Sequence, residues 1–253
     1  MLRQATKRND ASIYDRNAAS WGDVDSRAFR SLHSIGDMRL ARLRAWLHSE
    51  GIDQGDWGAV ADIGSGGGIL ATRMATHARH VVALDRSVKS LDALHAMQAT
   101  HVTCVAGDAT ALPLDDASID ITILSDVIEH VEAWPRVLAE AARVVRPGGY
   151  VHVSTIDRSK RATLLAVHLA EGLGYVPRGT HDPALFVRPD ELVSCGREHG
   201  LSLLHLVGER PRIFATLWRR RLVLSTAKRV STSYCALFKK AFSRETTQEQ
   251  PRS

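Results

Sequence analysis

The 253-residue chain holds only three cysteines, Cys104, Cys195 and Cys235, at no paired spacing. That scarcity leaves neither a disulfide framework nor a thiolate metal site to expect, and suits a reducing compartment. Aromatic residues are few, at 6%. No apolar run approaches the roughly 18 residues needed to cross a bilayer. Arg3, Lys7 and Arg8 open the chain without a following apolar stretch, so no secretory signal is expected, and Asp10 and Asp15 argue against a mitochondrial transit peptide. A cytoplasmic location follows as the expectation. Acidic residues are missing altogether from 210–244, which carries ten basic ones. The other residues hold 23 basic against 28 acidic, so this one segment makes the net charge of +5.

Glycine, by contrast, is concentrated. Asp62-Ile63-Gly64-Ser65-Gly66-Gly67-Gly68 follows the apolar run Ala59-Val60-Ala61 and precedes a helical pattern with Ile69, Leu70, Met74 and Ala75. Glycines at alternate positions between a strand and a helix let the backbone turn tightly and approach a ligand. A second strand, Val81 to Leu84, ends in Asp85, where a carboxylate can grip both hydroxyls of a ribose. An adenosine-containing cofactor is therefore expected. A dinucleotide fingerprint would need glycine at position 69, which is Ile69. The acidic Asp62 beside the loop suits a cationic or zwitterionic ligand better than a pyrophosphate, which wants bare N–H donors. S-adenosylmethionine meets that demand.

Strand–helix alternation continues. Val102 to Val105 runs into Gly107-Asp108-Ala109, Ile119 to Leu124 into Ser125-Asp126, and a helix over Val137–Val145 leads through Pro147-Gly148-Gly149 to a strand at Tyr150–Ser154. Such units specify a parallel α/β sheet with helices on both faces and its ligand at the carboxyl ends of the strands. Leu201–Val207 and Val230–Phe238 can form a final antiparallel hairpin. The length fits one domain: an N-terminal helical cap over 1–50, a cofactor-binding core over 56–155, an insertion over 156–190 that caps the substrate, a C-terminal hairpin with the basic segment over 191–245, and a disordered tail over 246–253.

These motifs resemble class I S-adenosylmethionine-dependent methyltransferases, with their Rossmann-like, mostly parallel seven-stranded sheet. The resemblance implies that Gly64 lies under the methionine end, Asp85 holds the ribose, and Asp108 and Ala109 face the adenine, with Asp62 and Gly66 of the glycine loop also at the cofactor. Further segments are similar to the ubiquinone-biosynthesis O-methyltransferases over about residues 14–208. They are Phe29 to Ile35 with Arg39, the run Asp126-x-x-Glu129-His130, Ser154 to Arg158, Gly179-Thr180-His181-Asp182, and Arg188 to Leu192. By that pattern Arg39, Gly64, Asp85 and Ser125 touch the cofactor, and Asp126, Glu129 and His130 hold a divalent cation. The pattern breaks after Gly208, where Glu209-Arg210-Pro211 replaces a Tyr-Asn-Pro turn.

The expected reaction is methyl transfer to a phenolic hydroxyl of a catechol-type acceptor, with or without a polyprenyl tail. Another small-molecule acceptor on the same fold is the alternative, and a non-catalytic membrane- or RNA-binding protein is a further one. An unperturbed phenol has a pKa of about 10, so something must favour the phenolate. A cation bridging both oxygens would do so, and Asp126, Glu129 and His130 at i, i+3 and i+4 of a helix start would share a face fit for Mg²⁺, Mn²⁺ or Zn²⁺. Asp126 acting as a helix cap is the plainer reading. His181 is a second candidate for proton transfer, beside His130. Arg39 would pair with the methionine carboxylate. The basic-apolar mixture over 211–224 and the apolar 162–176 are candidate contacts with an anionic membrane, and nucleic acid is the less favoured partner.

Overall fold

The computed structural model describes residues 8–242; the expected tail over 246–253 lies outside them. The chain opens with α1 (Ser12–Arg16) and the long α2 (Arg30–Ser49). The core follows as β1 (Ala59–Ile63), α3 (Ile69–Met74), β2 (His80–Asp85), α4 (Val88–Ala96), β3 (Val102–Ala106), β4 (Ile119–Ser125), α5 (Trp134–Val144) and β5 (Val145–Ile156). The insertion begins with α6 (Lys160–Thr163), which runs into a π-helix at Leu164–Glu171. Then come α7 (Pro189–Glu198), β6 (Leu201–Pro211), α8 (Ile213–Arg219), β7 (Leu224–Ala227) and β8 (Ser233–Lys240).

The sheet runs β3-β2-β1-β4-β5-β8-β6-β7. Pairing is parallel from β3 to β5, and β8 enters antiparallel between β5 and β6. The central strands read as unbroken apolar runs because both faces are covered. Ala61, Ile63 and Leu124 pack with Val137 and Leu138 of α5 and Leu192 of α7 on one face. Val60, Val81 and Ile123 pack with Leu43 and Leu47 of α2, Met74 of α3 and Leu94 of α4 on the other. Each fully buried leucine of this kind contributes roughly 1.5–3 kcal/mol.

Three expectations need correction. There are eight strands where seven were expected. The added β7 pairs Leu224–Ala227 with Gly208–Pro211 at the sheet edge, so the end of the basic-apolar segment completes the sheet. β5 does not start at Tyr150 but runs back through Pro147-Gly148-Gly149 to Val145, with a register shift opposite Ile119 and Ile121. There Gly149 lies so close to the Asp120 carbonyl that a side chain would collide with it. No helix starts at Asp126, either. Residues 128–130 form one 3-10 turn, and α5 begins only at Trp134, ahead of Pro135.

Candidate active site

The carboxyl ends of β1, β2, β3 and β4 open on one cleft of about 790 Å³. Its lining includes all eight residues expected at a cofactor: Asp62, Gly64, Gly66 and Asp85, then Asp108, Ala109, Ser125 and Arg39. Gly66 sits at φ 53°, a left-handed conformation that glycine adopts without cost. Its N–H donates to Asp85 Oδ2 at 2.8 Å, while Ser87 N–H donates to Oδ1 at 2.7 Å. Burial raises the Asp85 pKa in spite of those donors. Asp62 is buried outright, and burial, then the Asp85 charge, push its pKa up to about 7. Its Oδ2 has no hydrogen-bond partner among the described residues. An unpartnered buried acceptor beside a glycine loop fits the ammonium of S-adenosylmethionine.

The N-terminal segment roofs this cleft, with Asn9, Tyr14 and Asp15 in the lining. Trp21 fixes the roof. It stacks on Phe29 with centroids 3.7 Å apart, donates from Nε1 to Ser90 Oγ at 3.0 Å, and packs against the glycine loop. A Cβ on Gly66 or Gly67 would strike its ring. The bare loop thus accommodates a protein lid as well as a ligand, which the glycine motif alone could not reveal.

Behind the cleft lies a second cavity of about 360 Å³, walled mainly by apolar side chains of α2, the π-helix and α8. Tyr14, Leu32, Arg39, Asp126, His130 and Thr180 border both spaces. Two spaces that meet at six shared residues suit two reactants held end to end.

His130 stands at that junction, its ring stacked 5.6 Å from that of His181, which lines the apolar cavity. Burial, then the neighbouring His181, lower the His130 pKa to about 3, so it is neutral. Its Nδ1 lies 2.9 Å from Asn9 Oδ1, and Asn9 Nδ2 donates back to the His130 carbonyl at 3.0 Å. His181 is held from the opposite side. Glu171 Oε1 accepts from the His181 backbone N–H and lies 3.0 Å from Nδ1, while Oε2 accepts from Gly179 N–H at 2.8 Å. Burial would raise the Glu171 pKa, but these donors lower it, so the carboxylate is ionised. Glu171 and Asn9 carry no sequence signal of their own.

The carboxylate–histidine run behaves differently from its expected shared face. Asp126 pairs with the Arg39 guanidinium. Glu129 is wholly buried and accepts from Thr155 Oγ1 at 2.7 Å. Burial, then Asp126, push its pKa up to about 8. Among the described residues no three acidic, histidine or cysteine side chains gather as a metal-holding group. Asp126 is no helix cap here, since its φ of 55° turns the chain instead. Arg39 reaches the cleft, and its nitrogens face Asp126, Ser125 and Glu209.

Comparison with known proteins rests on this geometry. Residues 61–153 match the family model described as a methyltransferase domain. The ubiquinone biosynthesis O-methyltransferase of Paracidovorax citrulli is 38% identical over 197 residues, covering 76% of this chain and 80% of that protein. The chain belongs to that family. The protein of the same name from Ralstonia nicotianae is also 38% identical, over 76% and 79% of the two chains. Among solved structures, a SAM-dependent methyltransferase from Thermotoga maritima superposes with a TM-score of 0.60 at 20% identity, covering 90% of this chain and 98% of that one. This family member is an S-adenosylmethionine-dependent methyltransferase of the class I fold.

Proposed function

We propose that the protein methylates a phenolic oxygen of a catechol-type acceptor with an apolar, polyprenyl-like tail, the O-methylation named for its relatives. The observation that carries this reading is the apolar cavity that opens onto the cofactor cleft at His130, against whose ring His181 stacks. S-adenosylmethionine, when bound, supplies a methyl group on a sulfonium centre. The protein's part is to align the acceptor, exclude water and take the phenolic proton. Nε2 of His181 makes no hydrogen bond among the described residues, and the Glu171 carboxylate at Nδ1 favours the tautomer that leaves Nε2 as the acceptor. Asn9 fixes His130 beside it.

Incubation with S-adenosylmethionine and an alkyl-tailed catechol should give a monomethyl ether by mass spectrometry. Asp85→Ala should abolish calorimetric binding of S-adenosylhomocysteine. Transfer to nitrogen or a carboxylate, with no ether from any catechol, would favour the other small-molecule reading.

A divalent cation on Asp126, Glu129 and His130 is a second reading, favoured by one feature: Glu129 Oε1 is buried without a partner among the described residues, beside a second carboxylate. A cation there would satisfy that oxygen, lower the Glu129 pKa and loosen Asp126 from Arg39. Activity lost on chelation and restored by Mg²⁺ or Zn²⁺ would support it; activity indifferent to chelator would discard it.

A membrane-facing role, at the cytoplasmic surface of an anionic bilayer, is supported by the side chains around the cavity. Phe214 and Trp218 of α8 are about nine-tenths exposed, and Leu164, Leu169 and Leu173 of the insertion are also exposed. Arg219, Arg220 and Arg221 follow directly. Apolar side chains with adjacent arginines suit an interfacial contact from which a lipid-tailed acceptor could enter.

A further inference from the structure

Tyr14 brings an aromatic hydroxyl to the junction of the two spaces and borders both. Its ring is fixed from two sides. It lies parallel to Trp21 with centroids 6.0 Å apart, and the His130 ring meets it edge-on at 6.3 Å. The short helix that carries it, α1, is anchored in two directions. Asp10 N–H donates to the Gly179 carbonyl at 3.0 Å beside the insertion, and Ser87 Oγ donates to Asp15 just past β2. A tyrosine hydroxyl is protonated at neutral pH. Burial, then the charges of Asp126, Glu129 and Asp85, raise the Tyr14 pKa further, and the hydroxyl makes no hydrogen bond among the described residues. The other polar groups shared by the two spaces are already engaged. Thr180 Oγ1 donates to the Pro177 carbonyl at 2.7 Å. Because Asn9 Nδ2 donates to the His130 carbonyl, Asn9 Oδ1 accepts from His130 Nδ1, which leaves no hydrogen on Nε2 of that neutral ring. Arg39 pairs with Asp126 and is the expected partner of the cofactor carboxylate. The Tyr14 hydroxyl is therefore the uncommitted neutral donor where cofactor and acceptor meet.

We propose that Tyr14 orients the acceptor: its hydroxyl donates a hydrogen bond to the catechol oxygen that is not methylated, and so selects which of two neighbouring oxygens faces the methyl donor. The inference rests on the phenolic reading above and deepens it. The two oxygens of a catechol need different partners. The reacting one gives its proton to His181 Nε2 as its bond to the methyl carbon forms and the carbon–sulfur bond breaks. The other keeps its hydrogen, and its lone pairs would go bare against apolar walls, at the cost of a hydrogen bond lost to water. A neutral donor satisfies that oxygen without adding charge beside the reacting centre. Tyr14 itself neither gives up nor takes a proton. An alkyl tail in the apolar cavity makes the two oxygens inequivalent, so the selection is read out as the ratio of two monomethyl ethers.

The test uses the full chain with S-adenosylmethionine and a geranyl catechol, whose two monomethyl ethers are separated by chromatography. Tyr14→Phe removes one oxygen and keeps the ring against Trp21 and His130. It should move the ether ratio about fivefold toward equality, the worth of one hydrogen bond. The second readout is calorimetric affinity with S-adenosylhomocysteine bound. The variant should bind geranyl catechol about fivefold more weakly, and geranyl phenol, with its single oxygen, as tightly as wild type does. Affinity for S-adenosylhomocysteine itself reports folding and should be unchanged. An unchanged ether ratio, or an equal loss on the two probes, would overturn the inference and leave the phenolic reading intact. Weaker binding of S-adenosylhomocysteine by the variant would assign the hydroxyl to the cofactor and overturn the inference as well. No ether from a wild-type protein that still binds S-adenosylhomocysteine would overturn both.

Discussion

Glu171 and Asp62 are buried carboxylates whose environments push them in opposite directions. Glu171 accepts from three N–H groups around His181 and stays ionised. Glu171→Gln keeps the shape but removes the charge that favours the productive tautomer. It should cut kcat by about a hundredfold with little change in KM for the acceptor. Steady-state kinetics check this, and a fall confined to KM would point to packing instead. Asp62 has no compensating donor on Oδ2 and titrates near 7. A ligand ammonium favours its ionised form, so affinity for S-adenosylhomocysteine should rise with pH up to about 7 and level off above it. Below that point binding should release a proton, measurable by calorimetry in buffers of differing ionisation enthalpy. The unliganded fold shows the reverse sign. Between the unfolded value of 3.8 and about 7 the unfolded chain gives up the Asp62 proton first, so stability falls as pH rises.

Elements far apart in sequence meet at the lid and at the cavity. The roof over the cleft depends on Trp21 lying on the glycine loop. Gly67→Ala places a methyl group in the ring without demanding a left-handed backbone, so its main effect should be on the lid. Affinity for S-adenosylhomocysteine should drop by about tenfold, while the melting temperature shifts by only a few degrees. Unchanged affinity would make the lid incidental to binding. At the other end, α8 offers Phe214 and Trp218 to solvent, about nine-tenths exposed among the described residues. Replacing both with Asp should weaken sedimentation with phosphatidylglycerol vesicles by roughly tenfold or more. Turnover of a short-tailed, water-soluble catechol should be retained. Vesicle binding that survives the change would move the contact to the insertion.

Across the whole molecule, the parallel sheet, its glycine turn and its ribose-binding acid were legible in the sequence because they are local. A buried strand must be apolar, a tight turn under a ligand needs glycine, and the acid follows its strand directly. The final hairpin was legible for the same reason, although β7 and the backward extension of β5 were not, since edge pairing and a bulge depend on what lies alongside. The carboxylate–histidine run shows where sequence spacing misleads. Three residues at helical intervals share a face only if a helix forms, and the left-handed turn at Asp126 prevents one. Sequence by itself determined the fold class and the cofactor, through motifs that sit on single strand–turn–helix units. Tertiary structure alone decided which charges cancel and which polar atoms are held: Glu209 on Arg39 across 170 residues, Asn9 on His130 across 121. Such pairings depend on distances in space between residues whose separation along the chain carries no signal.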